Sequence, residues 1–304
     1  MINKKINNAW RNRSLYAMLL PGLAYLIIFC YIPLYGLIIA FKDYDPFLGI
    51  MSSPWVGLKH FTAFLTAPNF WQLIKNTLWL SVYSLLVNFP LPIVLALFIN
   101  EIRNQRFKKV VQTISYAPYF ISTVVVVGIC FTILNVDSGV INSILQAIGL
   151  EKVYFMSSET AFPTIYVISG LWQTLGWSSI IYVGTLSSVD RSLHEAAELD
   201  GAGRLKRIWH INLPAIVPIM MINLLLSIGG LLGIGFEKVY LMQTAGNLGS
   251  SEIISTYVYR VTLAASLPQY SFGTAVGLFN SIISIILLST ANFIAKKCNQ
   301  ESFW

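Results

Sequence analysis

The sequence predicts an all-α, polytopic membrane protein, and its composition and patterning carry that prediction. Of its 304 residues, 56% are hydrophobic and only 11% are charged, whereas soluble globular domains carry about 25% charged residues. The apolar residues fall in separate long runs, and a helix needs about 20 apolar residues to cross roughly 30 Å of hydrocarbon. The runs are too long and too uniformly apolar for the alternating strands of a membrane β-barrel.

Six apolar runs qualify as membrane-spanning helices. None carries Asp, Glu or Arg in its interior, as expected because charge within a bilayer is costly. The predicted spans are Leu15–Phe41, Leu73–Asn100, Val110–Leu134, Pro163–Leu186, Leu213–Phe236 and Phe272–Ala295. The first run is too long for a cleaved signal peptide. We therefore expect an N-terminal arm over residues 1–14, a transmembrane domain over 15–296 and a C-terminal tail over 297–304.

The basic residues predict the orientation, because Lys and Arg accumulate in cytoplasmic loops. An even number of spans puts both termini on one side, and that side holds most of the cations: Lys4, Lys5, Arg11, Arg13, Arg103, Arg106, Lys108, Lys109, Arg191, Arg204, Lys206, Arg207, Lys296 and Lys297. The other side holds Lys42, Lys59, Lys75, Lys152, Lys238 and Arg260. Both termini are therefore predicted to be cytoplasmic in a multi-pass protein of the cytoplasmic membrane. Since the cations are divided among segments that flank spans, the net charge of +7 does not indicate nucleic-acid binding.

The fourth loop, residues 187–212, is patterned like folded structure. Ser192 and Glu195 have the spacing of a capping box, and good helix formers follow as far as Leu199. Gly201 then suits a tight turn. A second basic segment leads to Pro214, which is expected to open the fifth span. The predicted arrangement is a cytoplasmic helix–turn–helix.

The same loop resembles the EAA motif of binding-protein-dependent importer permeases. The matching positions are Glu195, Ala196, Ala197, Asp200, Gly201, Ile211, Leu213 and Pro214. Further short stretches resemble the branch that imports oligosaccharides or polysaccharide fragments: Leu171-Trp172-Gln173, Gly235-Phe236-Glu237, Tyr257-Val258-Tyr259-Arg260 and Ala275-Val276-Gly277-Leu278-Phe279-Asn280.

This resemblance implies a transport subunit rather than an enzyme. The loop would be a coupling helix that docks on a separate ATPase, with Glu195 pairing to a basic group and Gly201 shaping the turn. The implied partners are a second permease subunit, two ATPase subunits, an extracytoplasmic sugar-binding protein and an oligosaccharide. The sequence has no phosphate-binding Gly-x-x-x-x-Gly-Lys-Ser/Thr stretch, so ATP and Mg²⁺ are expected on the ATPase subunits, with no cofactor in this chain.

A solute path through the spans would combine aromatic faces with amides and hydroxyls, since these groups suit the two faces of a sugar ring. Six residues in the predicted spans have this chemistry: Tyr83, Asn88, Trp172, Gln173, Trp177 and Asn223. Trp172, Gln173 and Asn223 are the preferred candidates for solute contact, because their spans flank the coupling loop. Contacts between helices are the alternative role for each of these residues.

Other classes of protein remain as alternatives. A permease of the same type could carry an amino acid, an anion or a metal, although buried charge or clustered ligands would then be expected. A secondary transporter often has inverted repeats and intramembrane acids, and neither is evident. No catalytic residue set or metal motif occurs at membrane depth, and the cysteines, Cys30, Cys130 and Cys298, have no metal-binding spacing.

Overall fold

A computed structural model of the chain describes residues 12–297. Most of the predicted N-terminal arm (1–14) and C-terminal tail (297–304) lies outside this range. Within it the secondary structure is helical without a β-strand, and Lys42 and Trp55 form an isolated bridge. The helices are α1 Arg13–Phe41, α2 Gly49–Ser52, α3 Lys59–Leu65, α4 Phe70–Asn100, α5 Gln105–Phe120, α6 Thr123–Ile133, α7 Val140–Ala147, α8 Phe162–Ser187, α9 Arg191–Leu199, α10 Arg204–Gly229, α11 Phe236–Met242, α12 Leu248–Ser251, α13 Ile254–Thr262 and α14 Tyr270–Lys297.

Membrane-spanning length and apolarity are combined in four helices of the described range, α1, α4, α10 and α14, with α5 and α6 together making a fifth candidate. The predicted fourth span, Pro163–Leu186, lies within α8. This helix has 26 residues, which gives a length of about 39 Å. Its polar residues, among them Gln173 and several serines, make it less apolar than the other candidates. The all-α membrane class is established, and the count of six spans stays a prediction.

The third predicted span, Val110–Leu134, is bent rather than straight. The axes of α5 and α6 meet at 98° across Ile121 and Ser122. Pro118 lies in a 3₁₀ turn at the end of α5, and Ser122 caps α6 by accepting a 3.4 Å hydrogen bond from the Val125 backbone N–H. The expectation of one continuous helix is therefore wrong at this point.

Two of the long helices contain a π turn just before a proline. In α1 the turn covers Leu26–Tyr31 and precedes Pro33, and in α10 it covers Ile208–Asn212 and precedes Pro214. A proline ring clashes with the carbonyl four residues earlier and leaves that carbonyl without its usual partner. That carbonyl falls inside the π turn in both helices, where the backbone is wider.

The π turn corrects the expected start of the fifth span. Pro214 lies inside the continuous helix α10, because the wider turn accommodates its ring. The helix begins ten residues earlier, at Arg204, and ends at Gly229. A short 3₁₀ turn, Leu231–Gly233, follows. The predicted range Leu213–Phe236 is therefore displaced at both ends.

The chain divides into two compact units. One unit comprises the chain up to Ala67 together with Tyr259–Phe279. In it, the Phe64 ring meets the rings of Phe272 and Phe279 edge-on, with centroid distances of 6.3 and 5.4 Å. The buried Lys42 ammonium donates to the carbonyls of Ile50 and Met51 at 2.7 and 2.9 Å.

The other unit comprises Pro68–Val258 and the chain from Asn280 onwards. Its core has two clusters, with α8 contributing to both. One cluster consists of Leu80, Val127, Met156, Phe162, Tyr166, Val167, Val239, Met242 and Ile253. The second consists of Ile93, Ala96, Ile99, Tyr182, Val183, Leu186 and Ile216. Helix α8 is therefore the central element of this unit.

Candidate functional sites

The first candidate site is the loop between α8 and α10. Helix α9 begins at Arg191, and its N-cap is Asp190 rather than the predicted Ser192. The Asp190 carboxylate accepts a 2.9 Å hydrogen bond from the Ser192 backbone N–H. This bond holds the pKa of Asp190 below its usual value. Both residue types are good caps, but an anion also suits the positive end of the helix dipole.

Gly201 closes α9 in a left-handed conformation. Its φ is +77°, which other residues rarely adopt. Its N–H bonds to the Glu198 carbonyl at 3.0 Å, and the Ala202 N–H bonds to the Ala197 carbonyl at 2.8 Å. These two bonds form a Schellman motif. The predicted turn at Gly201 is present, and it reverses the chain between α9 and α10.

An ion pair joins the two arms of this loop. A guanidinium nitrogen of Arg207, in the first turns of α10, donates to the carboxylate of Glu198 in α9. The Arg207 side chain is 11% exposed, and that of Glu198 is 55% exposed. The pair ties α9 to the helix that continues into the bundle.

The base of the loop is fixed to another part of the chain. Asn212, in the π turn of α10, is fully buried. Its side-chain amide donates to the carboxylate of Glu101, the C-cap of α4, at 3.4 Å. The loop therefore ends at a point held between α4 and α10.

The residues of the EAA motif divide by exposure. Glu195, Ala196, Asp200, Gly201 and Pro214 are exposed, while Ala197, Ile211 and Leu213 are half-buried. Four large apolar side chains on the loop are also exposed: Leu193 at 54%, Leu199 at 90%, Leu205 at 82% and Trp209 at 67%. An apolar surface of this kind, rimmed by charge, is typical of a protein interaction site.

The second candidate site is a cavity of about 470 Å³ between α4, α8 and α10. Its volume lies within the usual range for small-molecule sites. The lining residues are Ser81, Ser84, Leu85, Asn88, Phe89, Pro92, Trp177, Ser178, Ile181, Tyr182, Asn223, Ser227, Gly230, Leu231 and Ile234. Among these described residues none is charged. The cavity brings together three of the predicted path residues, Asn88, Trp177 and Asn223.

Two residues that line the cavity carry a buried polar atom without a hydrogen-bond partner in the described part of the chain. The Ser84 hydroxyl oxygen and the Asn88 side-chain carbonyl oxygen are buried without a hydrogen-bond partner among residues 12–297. The Asn223 side chain donates to the Ile219 carbonyl of its own helix at 3.0 Å and also hydrogen-bonds to the Tyr182 side chain of α8. A buried polar atom without a partner is costly, so these atoms favour a ligand or water in the cavity.

The other predicted path residues lie elsewhere. Trp172 is half-exposed and outside the cavity lining. Tyr83 packs against the first core cluster, with its ring centroid 6.0 Å from that of Trp79. The Gln173 side chain donates to the Ile121 carbonyl at 2.8 Å. Gln173 thus contacts the bend between α5 and α6.

The same face of α8 holds that bend at two further points. The ring of Trp177 stacks on that of Tyr119 with a centroid distance of 4.3 Å and an interplanar angle of 3°. Gly176 permits close contact with α5, because a Cβ there would lie 2.1 Å from the Ser115 backbone oxygen. Trp177 therefore connects the cavity wall to the bend.

The end of α10 is stabilised in a similar way. The hydroxyl of Ser81 in α4 donates to the Leu231 carbonyl. The amide of Asn280 in α14 donates to the Leu232 carbonyl at 3.3 Å. Irregular backbone at membrane depth requires such partners. Nothing in the sequence singles out Ser81, Ser84, Tyr182 or Ser227 for the cavity, because isolated hydroxyls in apolar runs are ordinary.

Within residues 12–297, no group of three or more His, Cys, Asp or Glu side chains is placed to hold a metal ion. The two sites are therefore an uncharged polar cavity within a helical unit and a helix–turn–helix attached to it.

Long apolar helices and a polar cavity between them define a polytopic membrane protein of the transport class. Residues 88–300 match the family described as "Binding-protein-dependent transport system inner membrane component". The chain belongs to this family of transport permeases. It is accordingly a multi-pass protein of the cytoplasmic membrane.

Characterised relatives align along almost the whole chain. The polygalacturonan/rhamnogalacturonan transport system permease protein YteP of Bacillus subtilis (strain 168) is 47% identical over 294 residues, covering 97% of this chain and 91% of YteP. Protein LplB of the same organism is 44% identical, covering 97% of this chain and 92% of LplB. The relatives support a carbohydrate-transport permease.

Solved structures of the same fold are also similar. A chain of a bacterial ABC transporter involved in the import of the acidic polysaccharide alginate aligns with a TM-score of 0.89 and 39% identity, covering 97% of this chain and 99% of that chain. A chain of a bacterial alginate ABC transporter in complex with an alginate pentasaccharide-bound periplasmic protein aligns with a TM-score of 0.89 and 38% identity. The alignment covers 98% of this chain and 99% of that chain.

Proposed function

We propose that this chain is one of two permease subunits of an ATP-driven importer, which translocates oligosaccharides or polysaccharide fragments across the cytoplasmic membrane. The observation that carries the proposal is the uncharged cavity between α4, α8 and α10. Its serine hydroxyls, amides and Trp177 ring match the hydroxyls and apolar face of a sugar ring. The relatives, which include permeases of polysaccharide transport systems, support the same class of solute.

The orientation follows the distribution of the basic residues. Both termini, the loop between α4 and α5, and the loop from α8 to α10 face the cytoplasm in this proposal. The opposite side receives an extracytoplasmic sugar-binding protein. The chain has six spans, with α8 as the fourth and the bent pair α5 and α6 as the third.

The helix–turn–helix is the surface that docks on an ATPase subunit. Glu195 pairs with a basic group of the ATPase, and the exposed Ala196, Asp200 and Gly201 form the contact face. Ala197, Ile211, Leu213 and Pro214 support that face from behind. ATP and Mg²⁺ bind to two ATPase subunits, and a second permease completes the path.

The mechanism is alternating access. Closure of the ATPase dimer moves α9, and the Glu198–Arg207 pair and the Asn212–Glu101 bond transmit this movement to α10 and α4. Since these helices also line the cavity, its exposure to the two sides of the membrane changes with the state of the ATPase. Asn88, Trp177 and Asn223 contact the sugar in the open cavity.

The docking assignment is tested by Gly201→Asp. A Cβ at this position meets no atom of the chain within 4 Å, and Asp tolerates a left-handed conformation better than most residues. The variant should therefore fold and insert but lose the ATPase. The measurement is recovery of the ATPase and the second permease with the tagged chain from the native membrane, together with sugar uptake.

Gly203→Ala is the matched control. Gly203 lies two residues further on, has a φ of −66° that suits Ala, and also has open space around it. It should retain the ATPase and uptake. Normal uptake by Gly201→Asp would contradict the docking assignment, and recovery of the unmodified chain without any ATPase would contradict the proposed function.

A further inference from the structure

The first half of α5 carries a basic and apolar surface that no contact within residues 12–297 explains. Three apolar side chains, Phe107, Val110 and Ile114, are 57%, 52% and 68% exposed. Their spacing of three and four residues places them on one face of the helix. They form the apolar stripe of α5.

Basic side chains surround this stripe. Arg103, Arg106 and Lys109 are exposed, and Lys108 is half-buried. None of these four cations belongs to an ion pair among residues 12–297. The nearest acidic residue along the chain, Glu101, receives its hydrogen bond from Asn212. The start of α5 is held in helical form by Asn104, which caps the backbone N–H groups of Arg106 and Phe107 at 2.9 and 3.2 Å.

We propose that the first turns of α5 form a binding site for an anionic phospholipid of the membrane leaflet next to them. Arg103, Arg106 and Lys109 contact the phosphate headgroup, and the apolar stripe contacts the acyl chains. The leaflet is the cytoplasmic one if the orientation proposed above is correct. The site itself does not depend on that orientation.

Two physical arguments favour lipid over a protein partner. A basic amphipathic helix places its apolar face at the boundary between headgroups and acyl chains. Here the same helix also continues into an apolar, membrane-embedded segment, so the stripe lies where the chain enters the bilayer. Each cation near an anionic surface contributes about a fivefold preference for anionic lipid.

The site lies at one end of a helix whose other end is the bend. Helix α5 has 16 residues from Gln105 to Phe120, a length of about 24 Å. Lipid at its first turns and the contacts of Gln173 and Trp177 at its last turn would fix α5 at both ends. Bound lipid would thus hold the helix against which the cavity wall is packed.

The test measures lipid binding directly. The full-length chain, purified from its native membrane, is titrated in detergent with phosphatidylglycerol or phosphatidylcholine, and bound lipids are counted by native mass spectrometry. We expect tighter binding of phosphatidylglycerol. The double variant Arg106→Gln/Lys109→Gln should weaken that binding about fivefold for each cation removed, and Phe107→Gln/Ile114→Gln should also weaken it.

Lys296→Gln/Lys297→Gln is the matched control, because it removes the same charge at the end of α14. This control should keep the preference for phosphatidylglycerol. Equal affinity for the two lipids, or an equal loss in the control, would overturn the proposal. Binding that survives loss of the apolar stripe and is displaced by inorganic phosphate would show an anion site without a lipid. None of these results depends on recovery of an ATPase. The lipid-site proposal can therefore be contradicted without contradicting the proposed importer function, and the reverse also holds.

Discussion

The side-chain amide of Gln173 donates a 2.8 Å hydrogen bond to the backbone carbonyl of Ile121. Ile121 directly follows the last residue of α5, and the axis of α6 lies at 98° to that of α5. The bend removes this carbonyl from the helical hydrogen-bond ladder, so it needs another donor. A glutamine that has the chemistry of a solute ligand is thus the partner of a neighbouring backbone bend, and its contact with a solute stays a prediction.

Replacing Gln173 by Leu should destabilise the bend. The Ile121 carbonyl would lose its partner, at a cost of about 1–3 kcal/mol. The measurement is the thermal unfolding temperature of the purified protein, which should fall. Thr174→Val is the control, since the Thr174 hydroxyl bonds only within α8, to the Gly170 carbonyl. If both variants unfold at the wild-type temperature, the bond does not stabilise the bend.

Gly176→Ala should be more damaging than an alanine substitution usually is. The new Cβ would meet the Ser115 backbone oxygen at 2.1 Å, and backbone cannot move aside as a flexible side chain does. Overpacking of this kind costs about 1–3 kcal/mol or more. Yield of inserted protein and unfolding temperature should both fall. Gly184→Ala, on the same helix with open space around it, should leave both unchanged, and similar losses in the two variants would contradict the close contact.

Asn223→Leu tests the cavity. The Asn223 side chain bonds to the Ile219 carbonyl of its own helix and to Tyr182 in the cavity wall. Asn223 lies outside the loop from α8 to α10, so its removal should leave assembly and basal ATP hydrolysis intact. Loss of one or two hydrogen bonds to a sugar should weaken sugar-dependent stimulation of ATP hydrolysis about 3- to 10-fold in apparent affinity. Trp172→Ala, outside the cavity lining, should have a smaller effect. The opposite order would place the sugar path at Trp172.

The Glu198–Arg207 pair is tested by a double-mutant cycle. Glu198→Gln and Arg207→Gln should each loosen α9 by about 0.5–1 kcal/mol, a value that allows for the exposure of the carboxylate. The double variant should lose less stability in α9 than the sum of the losses in the two single variants. Hydrogen exchange of the α9 backbone measures the effect. Arg204→Gln removes a cation one turn earlier and should change exchange little, while strict additivity in the cycle would show that the pair is not coupled.

Local rules predicted much of the helical architecture. Long apolar runs located α1, α4 and α14 within a few residues, because burying backbone in hydrocarbon leaves little alternative to a helix. The turn at Gly201 was also predictable, since few residues other than glycine adopt its backbone angles. These features depend on the segment itself rather than on its neighbours.

The remaining features depend on distant contacts. Pro118 is a local signal for a break in the third span, but α10 accommodates Pro214 without one, so a proline alone does not decide between a straight and a bent span. The bend at Ile121 is also stabilised by Gln173, 52 residues away. Asp190 and Ser192 are both competent caps, so position alone did not decide between them. Pro214 looked like a helix start because the π turn that accommodates it has no sequence signal of its own.

The π turn in α10 sets the rotational phase between the two parts of that helix. A single residue changes the direction of a side chain by about 100° around an α-helix. Inserting one residue within Arg204–Arg207, where the helix is a regular α-helix, would therefore turn Gly201, and with it α9, to a different side of the bundle without changing the apolar segment. Among homologous permeases, the number of residues between Gly201 and Pro214 should thus be far more constrained than the identity of those residues. The helical register, and not the chemistry of the side chains, determines the direction in which the loop points.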